Sequence, residues 1–152
     1  MKVLTFLLIF WAFTLAVRGQ DARPIRFTFN HISISVTDLD RSVKFYTSVL
    51  NLNEIADKGS TQGVRWFSLG GDKELHLISI VKEPVTTNKA IHLALTTPNF
   101  DAFVKELDKL KIEYSDWPGN KGKINLRADG VKQIFLQDPD GYWIVVNSAA
   151  KK

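Results

Sequence analysis

The chain has 152 residues, of which 45% are hydrophobic and 24% charged, and this balance predicts one globular domain and excludes a disordered chain. It contains no cysteine, which excludes disulfides, thiolate metal sites and cysteine nucleophiles. The formal net charge is +4 and the basic residues are scattered, so the sequence carries no nucleic-acid footprint.

The first twenty residues have the pattern of a secretory signal peptide. Lys2 gives a positive start, an apolar run follows over residues 3–17, and Val17-Arg18-Gly19 resembles a cleavage site. A membrane anchor is the alternative, but a bilayer span needs about 20 apolar residues and this run is shorter. We therefore predict a signal peptide over 1–20, cut near Gly19/Gln20, and export to the periplasm or the cell exterior. The mature chain, 21–152, would then be a single domain without stable membrane insertion.

The mature chain opens with a strand and an amphipathic helix. Residues alternate over the predicted strand Phe29–Val36, with Ile32 and Ile34 on one face and His31 on the other. The helix begins near Thr37-Asp38, which are good N-cap residues, and its apolar stripe is Leu39, Val43, Tyr46 and Leu50. Three further strands are predicted at about 53–57, 64–69 and 74–81.

The same pattern recurs at an offset of 61 residues, which aligns His31 with His92 and Asp40 with Asp101. Here the strand's apolar face is Ile91, Leu93 and Leu95, and Thr97-Pro98 predicts the start of the second helix. Strands are expected at about 112–115, 123–127, 131–137 and 142–147, of which the third is one arm of a hairpin turning at Asp129-Gly130. The sequence thus predicts an α+β fold of two βαβββ units, 29–81 and 90–147.

Two segments carry a family resemblance: His31 to Tyr46, and the late run Asp138-Pro139-Asp140-Gly141-Tyr142-Trp143-Ile144. With the tandem βαβββ pattern, they make the chain similar to the vicinal-oxygen-chelate superfamily of glyoxalases, bleomycin-resistance proteins and extradiol dioxygenases. The resemblance implies two units that form an incomplete barrel around a central cleft. It also implies a small-molecule substrate or ligand and, in many relatives, a homodimer.

The resemblance assigns four positions that hold a metal in metal-dependent relatives. They are His31, His76, His92 and Val145. The last position is typically glutamate, which both ligates the metal and moves protons, whereas valine does neither. The three imidazoles would suit a divalent ion, Zn²⁺ first and Ni²⁺, Mn²⁺ or Fe²⁺ as alternatives. Glu74 and Asn147, each two residues from a predicted site position on the same strand face, are additional candidate ligands.

Further residues are expected to line the substrate pocket. Trp143 and Val145 share a strand face, and only one of the neighbours Arg65 and Trp66 can point into the cleft. Asp138 and Asp140 are interpreted as turn-forming residues, and no catalytic residue is assigned. The leading hypothesis is an exported glyoxalase-like metalloenzyme, a lyase or isomerase acting on a small oxygen-bearing substrate. The alternative is a metal-free binding module of the bleomycin-resistance type.

Overall fold

The computed structural model describes residues 25–56, 61–81, 83 and 85–149, so the predicted signal peptide lies outside the described residues. Its elements in chain order are β1 (His31–Ser35), α1 (Leu39–Ser48), β2 (Glu54–Ile55), β3 (Val64–Gly70), β4 (Lys73–Ile78), β5 (His92–Thr97), α2 (Phe100–Leu110), β6 (Tyr114–Ser115), β7 (Asn125–Leu126), β8 (Lys132–Gln137) and β9 (Trp143–Ser148). Within this part of the chain, no helix is long and apolar enough to cross a membrane.

The strands form two mixed sheets with matching topology. The first sheet has the order β1-β4-β3-β2, and the second has β5-β9-β8-β6, with β7 paired to β8. In each unit the first strand lies at the sheet edge, parallel to the last strand, and the other pairs are antiparallel. Neither sheet closes on itself. The predicted α+β fold of two βαβββ units is confirmed.

Helix α1 begins where the sequence predicts, because the Asp38 side chain accepts a hydrogen bond from the Arg41 backbone N–H at 3.0 Å. The sequence predicts the start of α2 two residues too early. Thr97 is not its N-cap but the last residue of β5, paired with Ser148, and Pro98 lies in the turn. Asn99 is the N-cap and donates its N–H to Thr97 Oγ1 at 3.1 Å. The pairing of β5 with β9 therefore continues through Thr97, and α2 begins two residues later than the capping pattern predicts.

Residues of both helices and of both sheets form one hydrophobic core. Fully or nearly fully buried members from both units include Val36, Tyr46, Phe67, Leu75, Leu77, Phe100, Leu107, Ile134, Leu136, Ile144 and Val146. The opposite side of each sheet, called here its helix-free face, carries the alternate residues of the same strands. The packing of each helix over the first strand of its unit is incomplete, since Ile32 and Ile34 are only partly buried and Ile91 is 63% exposed.

The turn before β9 joins the two units. Asp138 Oδ1 accepts hydrogen bonds from the N–H groups of Asp140 and Tyr142, as expected of a turn-forming residue. Its Oδ2 accepts from the hydroxyl of Tyr46 on α1 at 2.9 Å. Burial raises the pKa of Asp138, and it also raises the pKa of Tyr46, so this pair favours the neutral phenol as donor.

Asp140 reaches the start of α1 from the same turn. Its Oδ1 accepts from the backbone N–H and hydroxyl of Thr37 at 2.9 and 2.6 Å, and its Oδ2 accepts from Ser42 Oγ at 2.8 Å. Arg41 adds an ion pair at 3.2 Å. Burial alone would raise the pKa of Asp140, but these hydrogen bonds and the Arg41 charge outweigh it and lower the pKa. Asp138 and Asp140 lie in the turn, as the sequence predicts. The sequence analysis did not predict that their side chains also connect the two units, and these contacts are called here the clamp.

Candidate functional site

The helix-free face of the first sheet carries a stack of three aromatic rings. Trp66 on β3 lies opposite His76 on β4, with ring centroids 4.0 Å apart and planes 21° apart. His76 stacks in turn on His31 of β1, at 4.5 Å and 11°. Ser33 is the β1 residue paired with His76, and His31 lies two residues earlier on the same strand face. The rings of His31 and His76 are therefore neighbours across the two strands. Strand alternation and register thus bring two of the three histidines together, with Trp66 as the inward member of the pair Arg65 and Trp66.

Each histidine of this stack is oriented by an oxygen acceptor. His76 Nε2 lies 3.0 Å from Glu74 Oε2, and the two side chains are only 11% and 14% exposed. His31 Nδ1 lies 2.6 Å from Asn30 Oδ1. Because both oxygens are acceptors, the ring nitrogens must donate, which leaves the lone pair of a neutral His76 on Nδ1 and that of a neutral His31 on Nε2.

The stack borders a pocket of about 500 Å³ lined by Asn30, His31, Trp66, Gly71, Asp72, Glu74 and His76. Arg65, a predicted pocket residue, lies on the opposite strand face and forms an ion pair with Glu54 on β2. The hydrogen bond to Glu54 raises the pKa of the Arg65 guanidinium. The pocket therefore combines an imidazole–carboxylate pair with flat aromatic walls, and its lining includes no guanidinium among the residues that the structure describes.

The helix-free face of the second sheet is organised differently. His92, Trp143, Val145 and Asn147 all lie on this face, on β5 and β9, as predicted. Val145 is fully buried beside its cross-strand neighbour Phe135. Asn147 Oδ1 is buried and has no hydrogen-bond partner within the described residues. His92 is exposed and donates from Nδ1 to the Lys89 carbonyl oxygen at 2.8 Å.

Lys89, which the sequence analysis did not single out, fills part of this second face. Its ammonium lies 4.7 Å from the ring centre of Trp143 and 5.1 Å from that of Phe135. Its three N–H donors reach Ser115 Oγ, the Asp116 carbonyl and the Trp117 carbonyl at 3.1, 2.9 and 3.2 Å. A single lysine between two repeats gives no sequence signal for such a contact, because its partners come from three other segments.

The geometry does not fit a metal ion held by one chain in this arrangement. A ligated ion lies in the plane of each imidazole, about 2.0–2.1 Å from the nitrogen. Stacked rings with centroids 4.5 Å apart and nearly parallel planes, as in His31 and His76, cannot both direct an in-plane lone pair at one ion. His92 lies on the other sheet. Over residues 25–56, 61–81, 83 and 85–149, no three His, Asp, Glu or Cys side chains gather as a metal-binding group. The site with all three histidines stays a prediction.

Comparison with known proteins decides the family. The model of the Glyoxalase/Bleomycin resistance protein/Dioxygenase superfamily matches residues 28–146, which is most of the chain and both units. The chain belongs to this superfamily. Its sequence is 27% identical over 121 residues to the uncharacterized protein YwbC of Bacillus subtilis, covering 76% of this chain and 92% of that protein. It is 26% identical over 135 residues to Glyoxylase I 4 of Arabidopsis thaliana, covering 84% and 75%.

Solved structures of other proteins share the fold. Oxidase ChaP-H2 superposes with a TM-score of 0.68 at 18% identity, covering 82% of this chain and 95% of that one. Lactoylglutathione lyase from Agrobacterium tumefaciens gives a TM-score of 0.60 at 16% identity, covering 84% and 97%. At these identities the likeness concerns the fold alone. Members of this superfamily bind small-molecule ligands, and many use a divalent metal.

Proposed function

We propose that this glyoxalase-superfamily chain is a lyase- or isomerase-type enzyme that acts on a small oxygen-bearing substrate at the helix-free face of the first sheet. One observation carries the proposal: the mostly buried His76–Glu74 pair, 3.0 Å apart, borders the 500 Å³ pocket. A carboxylate that fixes an imidazole is a recurring arrangement for general acid–base catalysis. The His76–Glu74 pair also supplies a group that can carry a proton in a chain whose superfamily's usual glutamate is replaced by Val145.

The roles follow from the hydrogen bonds. Glu74 orients the His76 ring and stabilises the imidazolium that forms when His76 Nδ1 takes a proton. Trp66 and His31 hold the His76 ring between them and restrict its rotation. The substrate's proton next to a carbonyl would be removed by His76 and returned to a neighbouring atom, which is the net change of an isomerase. The names of two similar proteins, Glyoxylase I 4 and lactoylglutathione lyase, agree with this reaction class.

Hydrogen–deuterium exchange tests the proposal directly. Dihydroxyacetone, whose protons lie next to a carbonyl, serves as a probe in D₂O, with proton NMR as the readout. We expect the protein to accelerate exchange, and Glu74→Gln and His76→Ala to abolish the acceleration. His92→Ala, on the other sheet, is the matched control and should retain it. If the wild type leaves the exchange rate unchanged, the acid–base role fails, and the metal-free binding module becomes the better hypothesis.

A second candidate is a divalent-metal enzyme whose centre forms between two copies of the chain. The observation that favours it is that each of His31, His76 and His92 donates one ring N–H to an oxygen, as metal-ligating histidines commonly do. A homodimer that places the first sheet's helix-free face against the second sheet's would bring His92 of a second copy to the stack. Zn²⁺ is the first ion to test, then Ni²⁺, Mn²⁺ and Fe²⁺.

Calorimetric titration combined with light scattering separates the two candidates. Because the stacked rings of His31 and His76 cannot both ligate one ion, the second candidate is supported by metal binding to a dimer that is weakened by His92→Ala and by one of His31→Ala and His76→Ala. Binding should then also fall in acid, because imidazolium cannot ligate. If the protein is a monomer and binds none of the four ions, the second candidate is contradicted and the metal-free reaction is retained.

Export is proposed from the leader pattern of residues 1–20 alone. N-terminal sequencing of the natively expressed protein should find a chain that begins near Gln20. Soluble cytoplasmic protein that still carries Met1 would contradict export.

A further inference from the structure

A second cavity lies between the two units, away from the proposed reaction site. It has a volume of about 370 Å³, and its aliphatic walls come from both units: Ile32, Ile34 and Leu75 from the first, and Leu93 and Ile144 from the second. It shares no lining residue with the pocket of the His31–His76–Trp66 stack. It occurs where the cover of β1 and β5 is incomplete, which explains why Ile32, Ile34 and Leu93 are only partly buried.

The segment that links the units passes over this cavity and contributes Val85, Thr86, Thr87 and Ile91 to its lining. Thr87 Oγ1 donates to the Gly141 carbonyl at 3.1 Å, and Lys89 anchors the segment to the second sheet. Ile91, at 63% exposure, stands at the border between the cavity and solvent. The cavity is therefore roofed rather than sealed, with an apolar side chain at its mouth.

Three polar side chains of the lining, Tyr46, Tyr142 and His92, already have partners in the protein. The Tyr142 hydroxyl accepts from the Ser35 N–H at 3.2 Å, and the Tyr46 hydroxyl donates to Asp138. The His92 ring donates to the Lys89 carbonyl. Half of the lining residues are aliphatic, so water gains little beside them, whereas an apolar molecule gains the full benefit of leaving water. The chemistry of the lining thus selects for an apolar occupant.

We infer that this cavity binds a small apolar molecule, and that this second ligand site is separate from the reaction site on the helix-free face. A dry cavity of about 150 Å³ is enough for benzene, so 370 Å³ has room for a ligand of about two aromatic rings. The volume also lies within the usual range for small-molecule sites, about 300–1,000 Å³. The inference rests on the cavity alone and holds whichever reaction the first sheet supports.

The test uses the full mature chain and the fluorescent probe N-phenyl-1-naphthylamine. We expect saturable binding at micromolar probe and a rise of the melting temperature, because a ligand of the folded state stabilises it. Ile91→Asp places a charge at the mouth and should weaken binding at least tenfold. Val81→Asp is the matched control: Val81 is 50% exposed and does not line the cavity, so binding should be unchanged.

A cavity-filling change gives a second, independent readout. Ile32→Phe narrows the cavity and should weaken probe binding, whereas Leu52→Phe, at a partly buried position outside this cavity, should not. Melting temperatures confirm that each variant folds. Absence of saturable binding to the wild type overturns the inference. So does equal weakening in Ile91→Asp and Val81→Asp, since that would mean the probe adheres to the surface in general.

Discussion

The helix-free faces of the two sheets derive from the same repeated pattern and have become chemically opposite. On the first sheet, imidazole rings and a carboxylate border an open pocket. On the second, Val145 is fully buried, and the Lys89 ammonium covers Trp143 and Phe135. The backbone register is alike, with the first strand parallel to the last in both units. A repeat therefore fixes where side chains stand and leaves open which of the two faces does chemistry.

The largest expected effect is on activity and separates the two faces directly. His76→Ala should lower the rate of the proposed proton transfer about 10²–10⁴-fold, the usual contribution of a general acid–base group. His92→Ala should change it little, because His92 lies on the other sheet. Rates measured side by side, with circular dichroism to confirm folding, give the comparison. Equal losses would mean that both faces serve one site, as the dimeric metal centre requires.

Val145→Glu asks whether the second face can accept a carboxylate. The position is 0% exposed, so an ionised group there should cost about 3 kcal/mol or more of unfolding free energy. Val145→Gln, which has similar size and no charge, is the control and should cost less. Urea unfolding of both variants measures the difference. Recovery of the Glu variant on addition of Zn²⁺ would instead support the metal centre between two copies.

Asp140→Asn should weaken the clamp that holds the two units together, by about 1–3 kcal/mol, because several hydrogen bonds to a charged acceptor are lost. The pKa of Asp140 is lowered in the folded state, so its stabilisation is present above the ordinary value of about 4 and is lost as the pH falls through the lowered pKa. The wild type should thus lose stability in acid more steeply than the variant. The pKa of Asp138 is raised by burial, so protonation of Asp138 partly offsets that loss.

Lys89→Met should have the smallest effect, a cost of about 1–2 kcal/mol, because methionine keeps the apolar packing and loses the three hydrogen bonds of the ammonium. Thermal unfolding measures it. Lys73→Met is a suitable control, since the ammonium of Lys73 forms an exposed ion pair with its neighbour Asp72. If the two variants lose the same stability, the hydrogen bonds and the aromatic contacts of the Lys89 ammonium together contribute nothing.

Much of the fold could be predicted from the sequence, because it is encoded in local periodicity. Alternation placed His31 and Ile32 on opposite faces of β1, and the shared offset of 61 residues predicted equivalent first strands. The same alternation predicted that only one of Arg65 and Trp66 would face the pocket. What it could not predict was which one, because that depends on the register between β3 and β4.

The remaining features depend on contacts between distant segments. The Glu74–His76 pair was visible as two inward residues on one strand, yet the ring stack required Trp66 and His31 from other strands. The cation site of Lys89 needs three segments at once, and the clamp at Asp138 and Asp140 crosses from one unit to the other. Composition and periodicity carry no signal for such contacts, since each residue is individually ordinary for its local structure.

The clamp also sets a temporal order for folding. The contacts of Asp140 with Thr37 and Ser42 and of Asp138 with Tyr46 span 103, 98 and 92 positions of the chain. The first unit is synthesised long before these carboxylates leave the ribosome, so its helix must wait for its final partners. Until residues 138–140 have been synthesised, the amino-terminal part of α1 lacks the carboxylates that connect it to the second unit.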